Sequence, residues 1–232
     1  MKAIIKGVLE VVAFLLIFPV FLVYCVSCVL LGAKRTFPGW SQGVSLVPGL
    51  CGAYLRRAFY RLVFRCPASG CWISFGTVFS HPSARLGRNI YVGPYCCVGD
   101  VTLEDDVLLG SHVSIMNGAS QHGIERLDIP IREQPGVWPR VTIGNDSWIG
   151  DRAIVMADVG AHCVVGAGSV VTKPIPDYAI AVGAPARVVR FRNRPDAAPT
   201  TTREADATIA DALIAGAPVS PAPLMVGNGT QA

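Results

Sequence analysis

Aliphatic residues recur at every sixth position through the middle of the chain, and this spacing constrains the possible folds more than any other feature. An α-helix repeats every 3.6 residues and a plain β-strand alternates every two, so neither element accounts for the period. Six residues suffice for one short strand and one turn, and three such units close one triangular coil around its aliphatic side chains. The sequence therefore predicts a mainly β domain of stacked coils. The recurring residues are Leu86, Val92, Val98, Leu103, Leu109, Ile115, Ile143, Ile149, Val155, Val159, Val165 and Val171.

The repeat is interrupted once by a long excursion, at 116–140, and is shortened once. Excursions of this length in compact domains are usually either functional or disordered. Between Val155 and Val159 the step is only four residues, so two residues are missing from one face and we expect a reshaped turn there. The bulky side chains of the excursion predict an ordered loop that packs on a neighbouring subunit; they are Ile124, Leu127, Ile129, Ile131 and Trp138.

Three motifs lie in the last coils: W-I-G at 148–150, G-A-G-S-V-V-T-K at 166–173 and G-A-P-A-R-V-V-R at 183–190. Together with the repeat over 72–192, they resemble the hexapeptide-repeat acyltransferases, in particular the galactoside, maltose and serine O-acetyltransferases. The resemblance implies a left-handed parallel β-helix over 72–192. It also implies acetyl-CoA as cosubstrate, no metal, and a homotrimer.

A histidine, His122, lies in the excursion. In the family that the chain resembles, a loop at this place carries the histidine that acts as general base on the acceptor hydroxyl. Imidazole suits that role because it can accept and return a proton near neutral pH. The alternative is a solvated or structural side chain. His112 is the second candidate for the base, because it lies three positions after an aliphatic residue of the repeat.

The resemblance also implies a groove for the cofactor. Asp151 and Ala167 would offer backbone groups to the pantetheine arm, and Thr172 and Lys173 would lie by the adenine and phosphate end. Arg187 and Arg190 would pair with phosphate oxygens, since guanidinium groups match them in shape and charge. The alternative for these cations is ordinary surface charge.

Contacts to the acceptor are expected from polar residues of the excursion. Asn117, Glu125 and Asp128, with Arg132, have side chains that can hydrogen-bond sugar hydroxyls. The alternative is that they are solvated or brace the loop. Gly93 stands where related sugar acetyltransferases have an asparagine that binds the acceptor, so the identity of the sugar stays open.

The N-terminal region, 1–35, contains 21 consecutive uncharged residues from Val11 to Leu31. As a helix this run would extend about 31 Å, close to the ~30 Å of a bilayer's hydrocarbon core. It predicts a membrane anchor rather than a cleaved signal peptide, whose apolar run is shorter. Pro19 leaves open whether the helix spans the membrane or re-enters the same face.

The basic residues cluster beside this anchor. Residues 1–66 carry eight Lys and Arg against one Glu, an excess that indicates a membrane surface rather than a nucleic acid. Within 36–71 the sequence predicts an amphipathic helix at the lipid headgroups, with Arg56, Arg57, Arg61 and Arg65 reaching phosphates. The alternative is a helix packed on the main domain. The positive-inside rule places the catalytic domain on the cytoplasmic side of a bacterial-type inner membrane.

Cysteine usage indicates a reducing compartment. Cys25 and Cys28 form a C-x-x-C inside the apolar run, and Cys66, Cys71, Cys96, Cys97 and Cys163 show no second paired motif. We therefore expect buried small side chains rather than a metal or redox site. Residues 193–232, rich in Ala, Pro, Thr and Gly, are expected to form a flexible tail.

These features together predict a membrane-associated O-acetyltransferase that acts on a saccharide, lipid-linked or part of a growing exopolysaccharide. Two alternatives remain. A γ-carbonic-anhydrase-like zinc hydratase would need three ligands from His81, His112, His122 and His162. A non-catalytic membrane scaffold would use the coils only as a rigid spacer.

Overall fold

The computed structural model describes residues 2–64 and 70–194, so Arg65, Cys66 and most of the expected tail lie outside the described residues. Three helices come first: α1 (Lys2–Leu31), α2 (Ala33–Ser45) and α3 (Gly49–Phe64). Short strands follow, with one 3-10 turn at Ile131–Glu133. The strands are β1 (Trp72–Ile73), β2 (Val78–Phe79), β3 (Arg85–Leu86), β4 (Tyr91–Val92), β5 (Cys97–Val98), β6 (Val101–Leu103), β7 (Leu108–Leu109), β8 (Ser114–Ile115), β9 (Val141–Ile143), β10 (Trp148–Ile149), β11 (Ile154–Val155), β12 (Val164–Val165), β13 (Val170–Val171), β14 (Ala179–Val182) and β15 (Arg187–Phe191).

The strands form three parallel sheets, which are the three faces of a coil. The first face runs β1-β4-β7-β10-β12-β14, the second β2-β5-β8-β11-β13 and the third β3-β6-β9. The third face continues through bridges from Ile143 to Val159 and from Val159 to Ile175. Five coils result, which begin at β1, β4, β7, β10 and β12. The antiparallel strand β15 lies against β14 at the C-terminal end.

The core is a stack of the recurring aliphatic residues, and the predicted register is confirmed. All twelve are buried, with at most 5 % of each exposed. Leu109, Ile149 and Val165 pair in register on the first face, and Leu103 pairs with Ile143 on the third. Each buried side chain therefore lies on its counterpart one coil away, so the coils stabilise one another.

The corner between the second and third faces is the tight one. It takes four residues from Val155 to Val159 and four from Val171 to Ile175, so the short step seen in the sequence is a recurrent feature of this corner. The excursion at 116–140 leaves the third coil at the same corner. The corner between the first and second faces is wider and holds residues with positive φ, among them Tyr95, His112 and Arg152.

Helices α2 and α3 cover the open end of the first coil. Ser41 Oγ accepts a hydrogen bond from the backbone N–H of Phe79 at 2.8 Å and lies 2.6 Å from Tyr60 Oη. The backbone N–H of Gly76 donates to the Ser45 carbonyl at 3.0 Å. Among residues 2–64 and 70–194 no strand precedes the first coil, and these contacts satisfy polar groups at its open end that would otherwise be left unpaired.

Arg56 of α3 corrects the expectation that this arginine reaches lipid phosphates. Its side chain is buried, with 1 % exposed. Its Nε donates to the Ile73 carbonyl at 2.9 Å and its Nη1 to the Val47 carbonyl at 2.6 Å, with longer contacts to two more carbonyls of α2. The packed alternative therefore describes the side of α3 that carries Arg56, whose guanidinium binds carbonyls at the coil end. Burial lowers the pKa of Arg56.

Helix α1 exposes most of its aliphatic side chains. From Ile4 to Leu31 it is long and apolar enough to cross a membrane by length and composition. Its contacts with the rest of the chain run along one side only, where Ala13, Ile17 and Tyr24 are buried.

Candidate functional site

The excursion folds as two arms that lie side by side. The backbone N–H of Val137 on the returning arm donates to the Ser120 carbonyl on the outgoing arm at 2.8 Å. A Cβ at Gly136 would lie 1.9 Å from the Gln121 carbonyl oxygen, so only glycine allows the arms to approach this closely. The expectation of an ordered loop is consistent with these contacts.

Asn117 holds the base of the loop. Its Oδ1 accepts from the Asp100 backbone N–H at 3.0 Å, and its Nδ2 donates to the carbonyls of Asp100 at 2.8 Å and Pro139 at 3.0 Å. The residue is buried, with 3 % exposed. Its amide group is therefore bound to the backbone, as the bracing alternative describes, and is not free to bind a sugar.

Gln134 holds the tip of the loop and was not singled out from the sequence. Its Oε1 accepts from the Arg126 backbone N–H at 3.1 Å and its Nε2 donates to the Arg126 carbonyl at 2.6 Å. A second, longer contact reaches the Ile129 carbonyl at 3.4 Å. The buried side-chain amide thus makes the pair of hydrogen bonds that the backbone of a neighbouring strand would otherwise make. No residue type or spacing in the sequence could have indicated this role for Gln134.

We expect Gln134→Ala to loosen the tip of the loop, because a buried backbone N–H and carbonyl lose their partner at a cost of about 1–3 kcal/mol. Tryptic cleavage after Arg126 and Arg132 should become about tenfold faster. The matched control is Glu133→Ala, whose side chain is exposed on the same turn. Equal cleavage of the two variants would contradict the role given to Gln134.

His122 lies on the outgoing arm with its side chain exposed. Its imidazole packs edge-to-face against Trp138 of the returning arm, with 5.6 Å between ring centroids and 82° between planes. Trp138 itself is half exposed. The imidazole thus contacts one aromatic ring and is otherwise open to solvent, on a loop that hydrogen bonds hold at its base and its tip.

The other three histidines have different surroundings. His112 stacks on Tyr95 at the corner between the first and second faces, 5.2 Å between centroids. His81 Nδ1 lies 2.8 Å from Ser80 Oγ. His162 stacks on Tyr178, and its Nδ1 lies 3.0 Å from Asp146 Oδ2.

Asp146, beside His162, carries a shifted carboxyl. Hydrogen bonding to His162, and then the charge of Arg192 at 3.3 Å, lowers the pKa of Asp146. This cluster fastens the segment after β15 to the coil, because Arg192 also donates to the His162 carbonyl at 2.9 Å. We read it as structural.

The remaining acceptor candidates are exposed on the tip of the loop. Asp128 forms an ion pair with Arg126, whose hydrogen bond lowers the pKa of the Asp128 carboxyl. Glu125 is exposed, and Arg132 has only a long contact of 3.7 Å with Glu133. These side chains are accessible to a sugar, and Asp128 would have to exchange its partner to bind one.

The two pantetheine candidates stack on successive coils at one corner. The Asp151 carbonyl accepts from the Gly168 backbone N–H at 2.8 Å, and its Oδ1 accepts from the Ser111 backbone N–H at 2.6 Å. The carboxylate is therefore tied to the coil below and does not project freely into a groove. Ala167, one coil further on, is exposed.

The phosphate candidates lie apart from that corner. Thr172 and Lys173 are exposed at the tight corner of the fifth coil, across the second face from Ala167. Arg187 and Arg190 lie on β15, where Arg187 is exposed and Arg190 is half-buried. All six cofactor candidates thus lie on the C-terminal coils. They are distributed over two corners of the coil and strand β15.

The cysteines are only partly as expected. Cys71, Cys96 and Cys163 are buried, and burial raises the pKa of Cys96 to about 11, which makes its thiol unreactive. Cys97, expected to be buried, is exposed because it points outward from the second face, and Cys51 is exposed as well. Within residues 2–64 and 70–194, no three His, Cys, Asp or Glu side chains are grouped as a metal site requires.

Comparison with known proteins agrees with this architecture. Residues 140–173 match the family described as bacterial transferase hexapeptide (six repeats). The Escherichia coli galactoside O-acetyltransferase is 32 % identical over 148 residues, which are 61 % of this chain and 70 % of that protein. A Mycobacterium tuberculosis protein named "Probable acetyltransferase Rv3034c" is 35 % identical over 132 residues, 53 % of this chain but only 43 % of the relative.

Among solved structures, a hexapeptide-repeat acetyltransferase from Vibrio cholerae, complexed with acetyl-coenzyme A, has the same fold. It is 22 % identical, with a TM-score of 0.50 over 68 % of this chain and 87 % of that one. The sequence match covers most of the galactoside O-acetyltransferase, and the parallel coils and the register of the repeat agree with it. The chain therefore belongs to the hexapeptide-repeat acyltransferase family.

Proposed function

We propose that the chain is a membrane-associated O-acetyltransferase that transfers acetyl from acetyl-CoA to a hydroxyl of a saccharide, in the biosynthesis of an exopolysaccharide or another cell-surface glycan. The observation that carries the proposal is the exposed His122 imidazole on a loop that Asn117 fixes to the coil and Gln134 holds together at its tip. The named activity of the galactoside O-acetyltransferase supports a sugar hydroxyl as acceptor.

In the proposed reaction His122 takes the proton of the acceptor hydroxyl while that oxygen attacks the thioester carbonyl carbon. The new C–O bond forms and the carbonyl electrons move onto oxygen. When the carbonyl re-forms, the C–S bond breaks, and the coenzyme A thiolate takes the proton from the imidazolium. The products are the acetyl ester and free coenzyme A, and the enzyme returns to its starting state.

Acetyl-CoA would lie along the C-terminal coils. The backbone of Asp151 and Ala167 would bind the pantetheine arm, Thr172 and Lys173 the adenine and phosphate end, and Arg187 with Arg190 further phosphate oxygens. We further propose that the coil is left-handed and that three chains assemble. A neighbouring chain would cover aliphatic side chains of the loop such as Leu127, which is 97 % exposed in the single chain.

The zinc-hydratase alternative is not favoured. It would hold zinc with three histidines across a subunit interface, and it gives no role to the motifs at 166–173 and 183–190. The curated relatives reported above are named acetyltransferases.

Lys173→Ala should raise KM for acetyl-CoA by about tenfold and leave KM for the acceptor unchanged. A charge-assisted hydrogen bond to phosphate contributes about 1.5–3 kcal/mol, and 1.4 kcal/mol corresponds to a factor of ten. Arg85→Ala is the control, because it removes one exposed cation from the first coil, far along the stack. Equal KM values for acetyl-CoA in the two variants would show that Lys173 does not bind the cofactor.

The function itself is tested with the purified full chain in lipid nanodiscs, supplied with acetyl-CoA and a panel of nucleotide sugars and lipid-linked oligosaccharides. We expect release of free coenzyme A thiol and a product heavier by one acetyl group in mass spectrometry. No turnover, with no thermal stabilisation by coenzyme A, would favour the scaffold and reject the enzyme.

A further inference from the structure

One side of helix α1 is covered by protein along most of its length. Near its start, Glu10 Oε1 pairs with Arg57 Nη1 at 3.0 Å. Near its end, the Tyr24 ring contacts Phe59 at 5.6 Å between centroids, and Ser27 Oγ accepts from Trp40 Nε1 at 3.0 Å. From Glu10 to Ser27 the helix rises about 26 Å, at ~1.5 Å per residue.

The layer that covers α1 is a single helix thick. In α2, Trp40 contacts α1 while the next residue, Ser41, binds the backbone of the first coil. In α3, Arg57 contacts α1 while the preceding residue, Arg56, binds the Ile73 carbonyl. Helix α1 is therefore separated from the end of the coil by one helix, about 10 Å, over its contacted length.

The opposite side of α1 is continuously aliphatic and exposed. The charged residues Lys6 and Glu10 fall at helical spacing on the side of Ala13, Ile17 and Tyr24, which faces the protein. The exposed side chains are Ile4, Ile5, Val8, Leu9, Val11, Val12, Leu15, Leu16, Phe18, Leu22, Val23, Val26, Val29, Leu30 and Leu31.

We propose that α1 neither spans the membrane nor re-enters it, but lies in the plane of the bilayer, immersed in one leaflet, with the coil standing on it. This inference rests on the membrane association proposed above. In a perpendicular crossing, the ~30 Å hydrocarbon core would enclose the α2–α3 layer and the coil end with it. That layer exposes Arg61 of α3, a helix that contacts α1 at Glu10 and Tyr24, and this cation would then lie in lipid. In the plane, Arg61 sits at headgroup level together with Lys34 and Arg35, where anionic lipids attract all three.

The orientation constrains the acceptor. The catalytic loop leaves the third coil, two coil rises or about 10 Å above the first, and the helical layer adds about 10 Å. His122 would thus work roughly 20 Å above the leaflet that holds α1. A saccharide carried on a lipid in the same leaflet fits that height.

The in-plane and spanning arrangements of α1 differ in whether the two termini of the chain lie on the same side of the membrane. An epitope is added at each end of the full chain, and protease is applied to inverted and right-side-out inner-membrane vesicles. We expect both epitopes to be digested only in inverted vesicles. Digestion of the two epitopes in opposite vesicle types would overturn the in-plane arrangement while leaving membrane association intact. Absence of the chain from the membrane fraction would overturn both proposals.

The depth of α1 gives a second readout that also excludes a re-entrant path. Ile4→Trp, Leu15→Trp and Val26→Trp place a probe at three exposed positions, eleven residues apart and hence on one face. Each variant is reconstituted with lipids brominated at different positions of the acyl chain. The quenching of the added tryptophan should give the same bilayer depth for all three positions. A markedly deeper Leu15→Trp probe would indicate a spanning or re-entrant helix and overturn the proposal. No quenching at any position would show that a second chain, not lipid, covers this face, and would overturn it as well.

Discussion

Replacing His122 with alanine should lower kcat for acetyl transfer by a factor of 10² to 10⁴, the usual contribution of a positioned general base. The reason lies in the acceptor: a sugar hydroxyl is a poor nucleophile until its proton is removed during attack. The loss should appear in kcat, while KM for acetyl-CoA stays within about twofold, because the proposed cofactor contacts lie on the C-terminal coils and not on the loop. Initial rates of thiol release, with each substrate varied in turn, measure both quantities.

The control for this variant is His112→Ala. Both histidines are exposed and each contacts one aromatic ring, so the two substitutions remove comparable packing. His112 lies at the corner between the first and second faces, outside the loop, and its variant should keep most of the wild-type rate. Loss of activity in His112→Ala with retention in His122→Ala would move the base to the other residue.

The His122 variant should also remain folded. Its side chain is exposed, and the loop is held by the buried amides of Asn117 and Gln134 rather than by the imidazole. The midpoint of thermal unfolding should shift by no more than the small amount typical of surface substitutions. A large shift would mean that the lost rate reflects a collapsed loop and not a missing base.

The coil could be predicted from the sequence because its signal is repeated and its physical cause is local. Every sixth residue must be apolar to enter the core, and each must match the residue one coil above, as Leu109, Ile149 and Val165 do. The short step after Val155 was visible for the same reason. Only its meaning was missing, since one coil does not reveal that the tight corner recurs at Ile175.

The roles of buried polar side chains could not be predicted from the sequence in the same way, because their hydrogen-bond partners depend on the tertiary path of the backbone. Asn117 seemed suited to bind a sugar but closes the loop, and Gln134 gave no signal at all. The arginines of α3 look alike in the sequence, yet Arg56 is buried on carbonyls and Arg61 is exposed. The helical position of each arginine relative to the coil end decides its role, and that position follows from the packing of three helices.

Arg56→Met should therefore be the most destabilising of the arginine substitutions, with a loss in the free energy of unfolding of about 3 kcal/mol or more. Methionine fills much of the same volume but leaves buried carbonyl acceptors without a donor, at roughly 1–3 kcal/mol for each group left unpaired. Those of Ile73 and Val47 have the shortest contacts, 2.9 and 2.6 Å. Urea unfolding of the full chain in detergent micelles, followed by far-UV circular dichroism, measures the change.

Arg61→Met is the matched control, because it makes the same substitution on an exposed face of the same helix and should change stability by less than about 0.5 kcal/mol. Arg56→Lys should fall between the two, since an ammonium keeps the charge but lacks the fork that reaches several carbonyls at once. Equal stability of the two methionine variants would show that Arg56 does not hold the coil end. In that case the connection between the helical layer and the coil would depend on the contacts that Ser41 and Ser45 make with the first coil.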